Sequence, residues 1–280
     1  MDKNYASLKC PQIVDLSQYE DNQFFGKLSD APLLFHGVNK SGSLAFSRSV
    51  HAAYVAVGKE KQFLCRYMQM PVGRDEAIAQ FKGHLDKAPI LIDHAMVGVQ
   101  DSIAGSRLST MLRHPVSRFI SIYFWLQTKH PEKLMGRDIM SWARQEHRIY
   151  SQLRQFTFTF LKPATAIAMD RLPIDDSLEK AITLFETKMA WWGICELFEE
   201  TLVSFSIHRG FNKVANWETD KRNVERPEYT KLPRNMYEEL SMLLGYDVAF
   251  YTFMKSEFTK RFMDDELTEA AALVKDIHNK

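Results

Sequence analysis

The chain has 280 residues, 36 Lys and Arg against 35 Asp and Glu, a formal net charge of +1 and 45% hydrophobic residues. That size and apolar share suit one α/β domain with its own core, and so even a charge balance gives no global field for nucleic acid; basic residues must act locally. Three scattered cysteines, Cys10, Cys65 and Cys195, show no ligand spacing, which points to reduced thiols in a cytoplasmic setting and away from a structural metal.

Met1 to Tyr5 lacks the charged and apolar regions of a secretory signal, and no run of about 18 uncharged apolar residues offers a membrane span. Residues 1–30 read as polar and irregular. Short apolar runs near 32–37, 62–68, 88–94, 108–113 and 190–194 read as strands. They alternate with helical segments, and this predicts a mostly parallel sheet flanked by helices. Residues 131–173 read as helical and irregular, packed over a cleft. Residues 212–233 read as a polar, cation-rich loop. Trp191 and Trp192 belong in the core, because they abut an apolar strand. Beyond Glu196 the pattern becomes helical, over Met236–Leu244, Val248–Arg261 and from Asp264 onward.

Two strand-to-helix junctions carry the chemistry. In the first, the strand Ala31 to Val38 leads through Asn39-Lys40-Ser41-Gly42-Ser43 into a helix over Leu44 to Val57. Backbone N–H groups at a helix start form an anion site, and Lys40 adds a point charge. The order excludes a nucleotide-kinase loop, Gly-x-x-x-x-Gly-Lys-Ser/Thr, because Lys40 precedes Gly42. Alone, such a tetrapeptide is more often an ordinary turn. In the second junction, Leu112-Arg113-His114-Pro115 ends a buried strand, and Pro115 opens a helix whose apolar face is Val116, Phe119, Ile120, Tyr123 and Phe124. Arg113 thus stands at a strand's carboxyl end, where open parallel sheets bind ligands. Its planar fork suits phosphate oxygens, and Ser121, two turns into the helix, offers a hydroxyl to the same anion. The plain alternative is an arginine paired with a carboxylate and a serine facing a neighbouring helix.

Together these segments resemble the sulfotransferases that use 3'-phosphoadenosine 5'-phosphosulfate (PAPS), in particular the carbohydrate-directed, family 2-like branch. That family carries Pro-Lys-Thr/Ser-Gly for the 5'-phosphosulfate and Leu-Arg-Asp-Pro-x-x-Arg-x-x-Ser-x-Tyr for the 3'-phosphate. The likeness runs from about Pro32 to Arg261. It includes His94-Ala95-Met96-Val97-Gly98-Val99, Gln152-Leu153-Arg154, Trp192 to Leu202, and Asp247 to Tyr251. It implies a P-loop-like α/β fold with a helical C-terminal part, arranged as a single domain over 1–280: an irregular 1–30, a nucleotide-binding core over 31–200, and a basic loop with C-terminal helices over 201–280.

It further implies that Lys40 is the catalytic lysine, that Ser41, Gly42 and Ser43 belong to the 5'-phosphosulfate loop, and that Arg113 and Ser121 bind the 3'-phosphate. Arg226, with Lys221 and Arg222, would add charge from the late loop. PAPS would be a co-substrate without any metal, and the acceptor a hydroxyl, by resemblance a carbohydrate or glycoconjugate.

Sulfuryl transfer also calls for a base. His94 leads, delivered by the strand Pro89 to Asp93; His36 is second, and Asp93 or Glu196 are carboxylate alternatives. Three departures stand out. Asn39 replaces the usual proline, His114 the usual aspartate, and Leu44 a hydroxyl residue that helps hold the phosphosulfate. Leu44 keeps open an inert nucleotide- or glycan-binding relative, with Ser43, Ser47 and Arg48 as compensating groups. A small-molecule kinase is disfavoured by the lysine's position.

Overall fold

The computed structural model describes residues 11–38, 40–65, 74–93, 103–160, 174–216 and 231–278. Its strands are β1 (Gln12–Asp15), β2 (Leu33–His36), β3 (Phe63–Cys65), β4 (Ile90–Asp93), β5 (Arg107–Leu112), β6 (Met189–Ile194) and β7 (Lys213–Asn216). Its helices are α1 (Ser43–Ala56), α2 (Arg74–Lys82), α3 (Pro115–Lys129), α4 (Ile139–Glu146), α5 (Gln152–Phe160), α6 (Ile174–Lys188), α7 (Phe198–His208), α8 (Arg234–Leu243), α9 (Gly245–Phe262) and α10 (Asp265–His278).

Five strands form one parallel sheet in the order β3-β4-β2-β5-β6. Every residue of β2 and of β4 is buried, the pattern of strands covered by helices on both faces. The chain leaves β2 towards β3 and leaves β5 towards β6, so the strand order reverses between β2 and β5. In an open α/β sheet, that reversal opens a crevice at the carboxyl ends of the two strands. The α/β class with a parallel sheet between helices is therefore observed.

Aromatic packing holds α1 and α7 to the sheet. Phe46 stacks on Phe35 and Trp191, at ring separations of 4.8 and 5.7 Å, and meets Phe205 edge-on at 5.2 Å. Trp191 and Trp192 are core residues; their indole N–H groups donate to Ser204 Oγ at 3.2 Å and the Met254 carbonyl at 3.0 Å. Gly193 lets α7 approach, because a Cβ there would lie 2.3 Å from Thr201 Cγ2. Thr201 Oγ1 in turn bonds both the N–H and the C=O of Ile194 at 2.9 Å. A second apolar cluster joins α3, α4 and α8 around Phe119, Trp142 and Leu240.

Strand positions differ from the expected runs by a few residues; β3 ends at Cys65, and residues 66–68 of the expected 62–68 run lie outside the described residues. Two expectations are corrected. Residues 1–30 are not wholly irregular, and residues 212–233 are not wholly loop. β1 pairs antiparallel with β7, Gln12 opposite Asn216 and Asp15 opposite Lys213. Only Val14 of β1 is buried, so the strand shows no alternation of its own and exists through its distant partner. The turns that follow β1 are also covered: Leu16, Tyr19 and Leu28 lie in the core.

Candidate functional site

The loop after β2 is wound by its own groups. Lys40 (φ 65°) and Gly42 (φ 79°) take left-handed conformations. Gly42 caps α1 without a side-chain hydrogen bond, and a Cβ there would meet Cys195 Sγ at 3.0 Å and Met111 Cε at 3.5 Å. The hydroxyls of Ser41 and Ser43 donate to the Val38 carbonyl at 2.9 and 3.4 Å. Both are therefore occupied in shaping the loop. The loop's means of meeting an anion are the uncapped first turn of α1, with its positive dipole end, and the Lys40 ammonium. Lys40 Nζ lies 4.9 Å from the centre of the Trp125 ring. Leu44 is half-buried in that first turn, Ser47 Oγ bonds back to the Ser43 carbonyl at 2.6 Å, and Arg48 is buried.

The turn after β5 is held from outside. Arg113 Nε donates to Ser117 Oγ at 3.1 Å, and Arg113 Nη1 to the Lys40 carbonyl at 3.0 Å. The Arg113 main-chain N–H donates to Gln152 Oε1 at 3.1 Å. The His114 N–H is shared by the two oxygens of Glu196, at 3.0 and 3.1 Å, and Tyr251 Oη donates to the same carboxylate at 2.8 Å. A carboxylate at the start of α3 complements the helix dipole. Glu196, a base candidate from sequence, is thus a clamp on the arginine turn.

Along α3, Ser117, Ser121 and Trp125 are four residues apart and share one stripe. Arg113 touches the first and Lys40 covers the last, so buried Ser121 lies between them. The structure thereby brings the Lys40, Ser41, Gly42 and Ser43 loop against the Arg113 and Ser121 segment at the crevice.

Arg118 braces the back of the site. Its buried guanidinium donates to the Tyr150 carbonyl and to Gln155 Oε1, both at 2.6 Å. Burial chiefly pushes its pKa down to about 10; Asp247 opposes the shift and Arg113 adds to it. The Asp247 carboxyl is raised by burial and accepts the Leu153 N–H at 2.7 Å. These bonds fix the start of α5, the helix that delivers Gln152.

His36 is 1% exposed at the end of β2; its carbonyl accepts Thr110 Oγ1 at 2.8 Å, and its ring meets Phe156 edge-on. Asp93 stands opposite His36 in the β2–β4 register and is also buried. His114, where the resemblance expects an aspartate, is neutral at pH 7: burial first, then Lys255 and Arg113, lower it to about 4. His94, Lys221, Arg222 and Arg226 lie outside the described residues. Among the described residues no cluster of three or more His, Cys, Asp or Glu could hold a metal, and no helix is long and apolar enough to cross a membrane.

Sequence reasoning missed three contacts. Ser117 and Trp125 were readable as the positions one turn either side of Ser121. Gln152 was read only within the Gln152-Leu153-Arg154 likeness, and its bond to the arginine turn was not readable, since only the fold brings α5 against β5.

No protein-family model matches this sequence, and no curated protein matches it. Among solved structures, a sulfotransferase from Alicyclobacillus acidocaldarius is similar at 12% identity with a TM-score of 0.44, over 80% of this chain and 95% of that one.

Proposed function

We propose that this chain is a sulfotransferase that moves a sulfuryl group from PAPS to a hydroxyl acceptor, a carbohydrate or glycoconjugate by the motif resemblance. The observation that carries the reading is the bond from Arg113 Nη1 to the Lys40 carbonyl, which joins two anion-suited segments 73 residues apart in sequence. They border the crevice at the strand-order reversal, and PAPS is a donor with anionic groups at two ends. The residues suit such a molecule: the first turn of α1 has no side-chain cap, and the Arg113 guanidinium reaches Ser117, one turn before Ser121 on α3.

PAPS supplies the activated sulfur. In this reading the first-turn N–H groups of α1 hold the 5'-phosphosulfate, and Arg113 with Ser121 holds the 3'-phosphate. As the bond from sulfur to the phosphate oxygen breaks and the bond to the acceptor oxygen forms, negative charge grows on the departing phosphate. The Lys40 ammonium meets that charge, the kind of preorganised cation that commonly supplies the largest catalytic term. The acceptor proton passes to a base, His94 in the first instance and His36 or Asp93 as alternatives. Arg226 adds to the 3'-phosphate site. The enzyme works in the cytoplasm.

Calorimetric titration with adenosine 3',5'-bisphosphate and with AMP tests the donor assignment: the bisphosphate should bind at least tenfold more tightly. Equal affinity refutes the 3'-phosphate site. Transfer of labelled sulfate from PAPS across a panel of sugars, phenols and alcohols then identifies the acceptor. Leu44, half-buried in the first turn of α1, favours a second reading, a catalytically inert nucleotide- or glycan-binding protein. Tight bisphosphate binding without transfer to any acceptor would establish it.

A further inference from the structure

Gln152 opens α5 and is 1% exposed. Its carboxamide has a definite orientation, because the Arg113 N–H at 3.1 Å can only meet the oxygen. The other terminus is therefore the NH2 group, and among the described residues this buried Nε2 meets no hydrogen-bond acceptor. Buried donors are nearly always satisfied, and one left unmade carries the whole desolvation penalty of the group. Nε2 is one carboxamide width from the oxygen that holds the Arg113 main chain. It thus sits at the turn that carries the Arg113 guanidinium, whose side chain reaches Ser117, while the Glu196 carboxylate is taken up by the His114 N–H.

We propose that Gln152 is a ligand-binding residue, whose Nε2 donates to an oxygen of the phosphate held by Arg113 while its Oε1 keeps the arginine's main chain in place. This rests on the 3'-phosphate reading given above. An ionised oxygen binds a guanidinium more strongly than the neutral oxygens of Ser117 and Lys40 do, so a phosphate can draw Arg113 to itself and come alongside Nε2. The amide's two ends then have separate tasks: one shapes the site and the other touches its occupant.

Gln152→Glu separates those tasks, because it keeps an acceptor for the Arg113 N–H and replaces the donor with an oxygen that repels phosphate. Titration of the full-length variant with adenosine 3',5'-bisphosphate should show affinity reduced about 10- to 100-fold. Affinity for AMP should stay within about threefold of wild type. Unchanged bisphosphate binding overturns the proposal, and so does an equal loss for both nucleotides, which marks a purely structural role. If the variant fails to fold, the side-chain amide resonance of Gln152 in nitrogen-labelled wild-type protein decides. It should shift with bisphosphate and stay still with AMP; no shift with either refutes the contact. The wild-type preference for bisphosphate over AMP tests the underlying reading independently of Gln152.

Discussion

The two halves of the crevice are built by opposite means. The Lys40–Ser43 loop is local: two hydroxyls turn onto one carbonyl, and left-handed residues close the bend. The Arg113–His114 turn, besides a local bond to Ser117, is gripped by Gln152, Glu196 and the Lys40 carbonyl, from three other places in the chain. A self-wound loop depends on its own residue types, whereas a clamped turn depends on the packing of whole helices. The first should therefore fail through conformation and the second through the loss of partners.

The largest effect should come from Lys40. Lys40→Ala leaves the carbonyl that Arg113 uses, so bisphosphate binding should change by less than about tenfold while sulfate transfer from labelled PAPS falls at least about 100-fold. A variant that transfers normally would remove the lysine from the chemistry.

On the clamped side, Glu196→Ala strips the acceptor from both the His114 N–H and Tyr251 Oη. Urea unfolding should show a loss of about 2 kcal/mol. Tyr251→Phe should then cost less in the Glu196→Ala background than in wild type, because its partner has already gone.

On the self-wound side, Gly42→Ala places a Cβ at positive φ and 3.0 Å from Cys195 Sγ. A loss of about 1–2 kcal/mol is expected. Cys195→Ala should restore the steric part of that loss but not the conformational part, so the double variant is less than additive. A full restoration would mean that the bend imposes no strain of its own.

Close to neutral pH, the smallest effect is the pH dependence. His114 and His208 are both lowered to about 4, mainly by burial. Above pH 6.5 they are neutral in folded and unfolded chains alike. As pH falls from about 6.5 towards 4 the unfolded chain takes up protons first, so these residues make the fold less stable. Urea midpoints across that range should fall, and His114→Asn should flatten part of the slope. An unchanged slope would show that the ring is solvated.

Much of the sheet was legible because β2, β4 and the end of β5 are apolar runs buried on both faces, an unambiguous strand signal. β1 was not, since four residues with one buried side chain carry no periodicity. In the site, Lys40, Gly42 and Arg113 were readable from motif type and from their places after strands. Their convergence was not readable, because it depends on strand order, which no local pattern encodes. The same limit applies to Glu196. Its residue type suggested a proton acceptor, and only the position of α3 shows its carboxylate capping that helix.

Arg209 is 2% exposed, and its guanidinium donates to the carbonyls of Leu28, Ala31 and Ala88, the latter two at 2.8 and 2.6 Å. Among the described residues no carboxylate pairs with it. Peptide oxygens do not titrate, so acid that protonates the histidines leaves this staple between α7, the amino-terminal turns and the approach to β4 intact. Mild acid should thus act on those turns through the neighbouring His208 ring, which stacks on Phe24 at 5.0 Å, while the bonds made by the arginine persist.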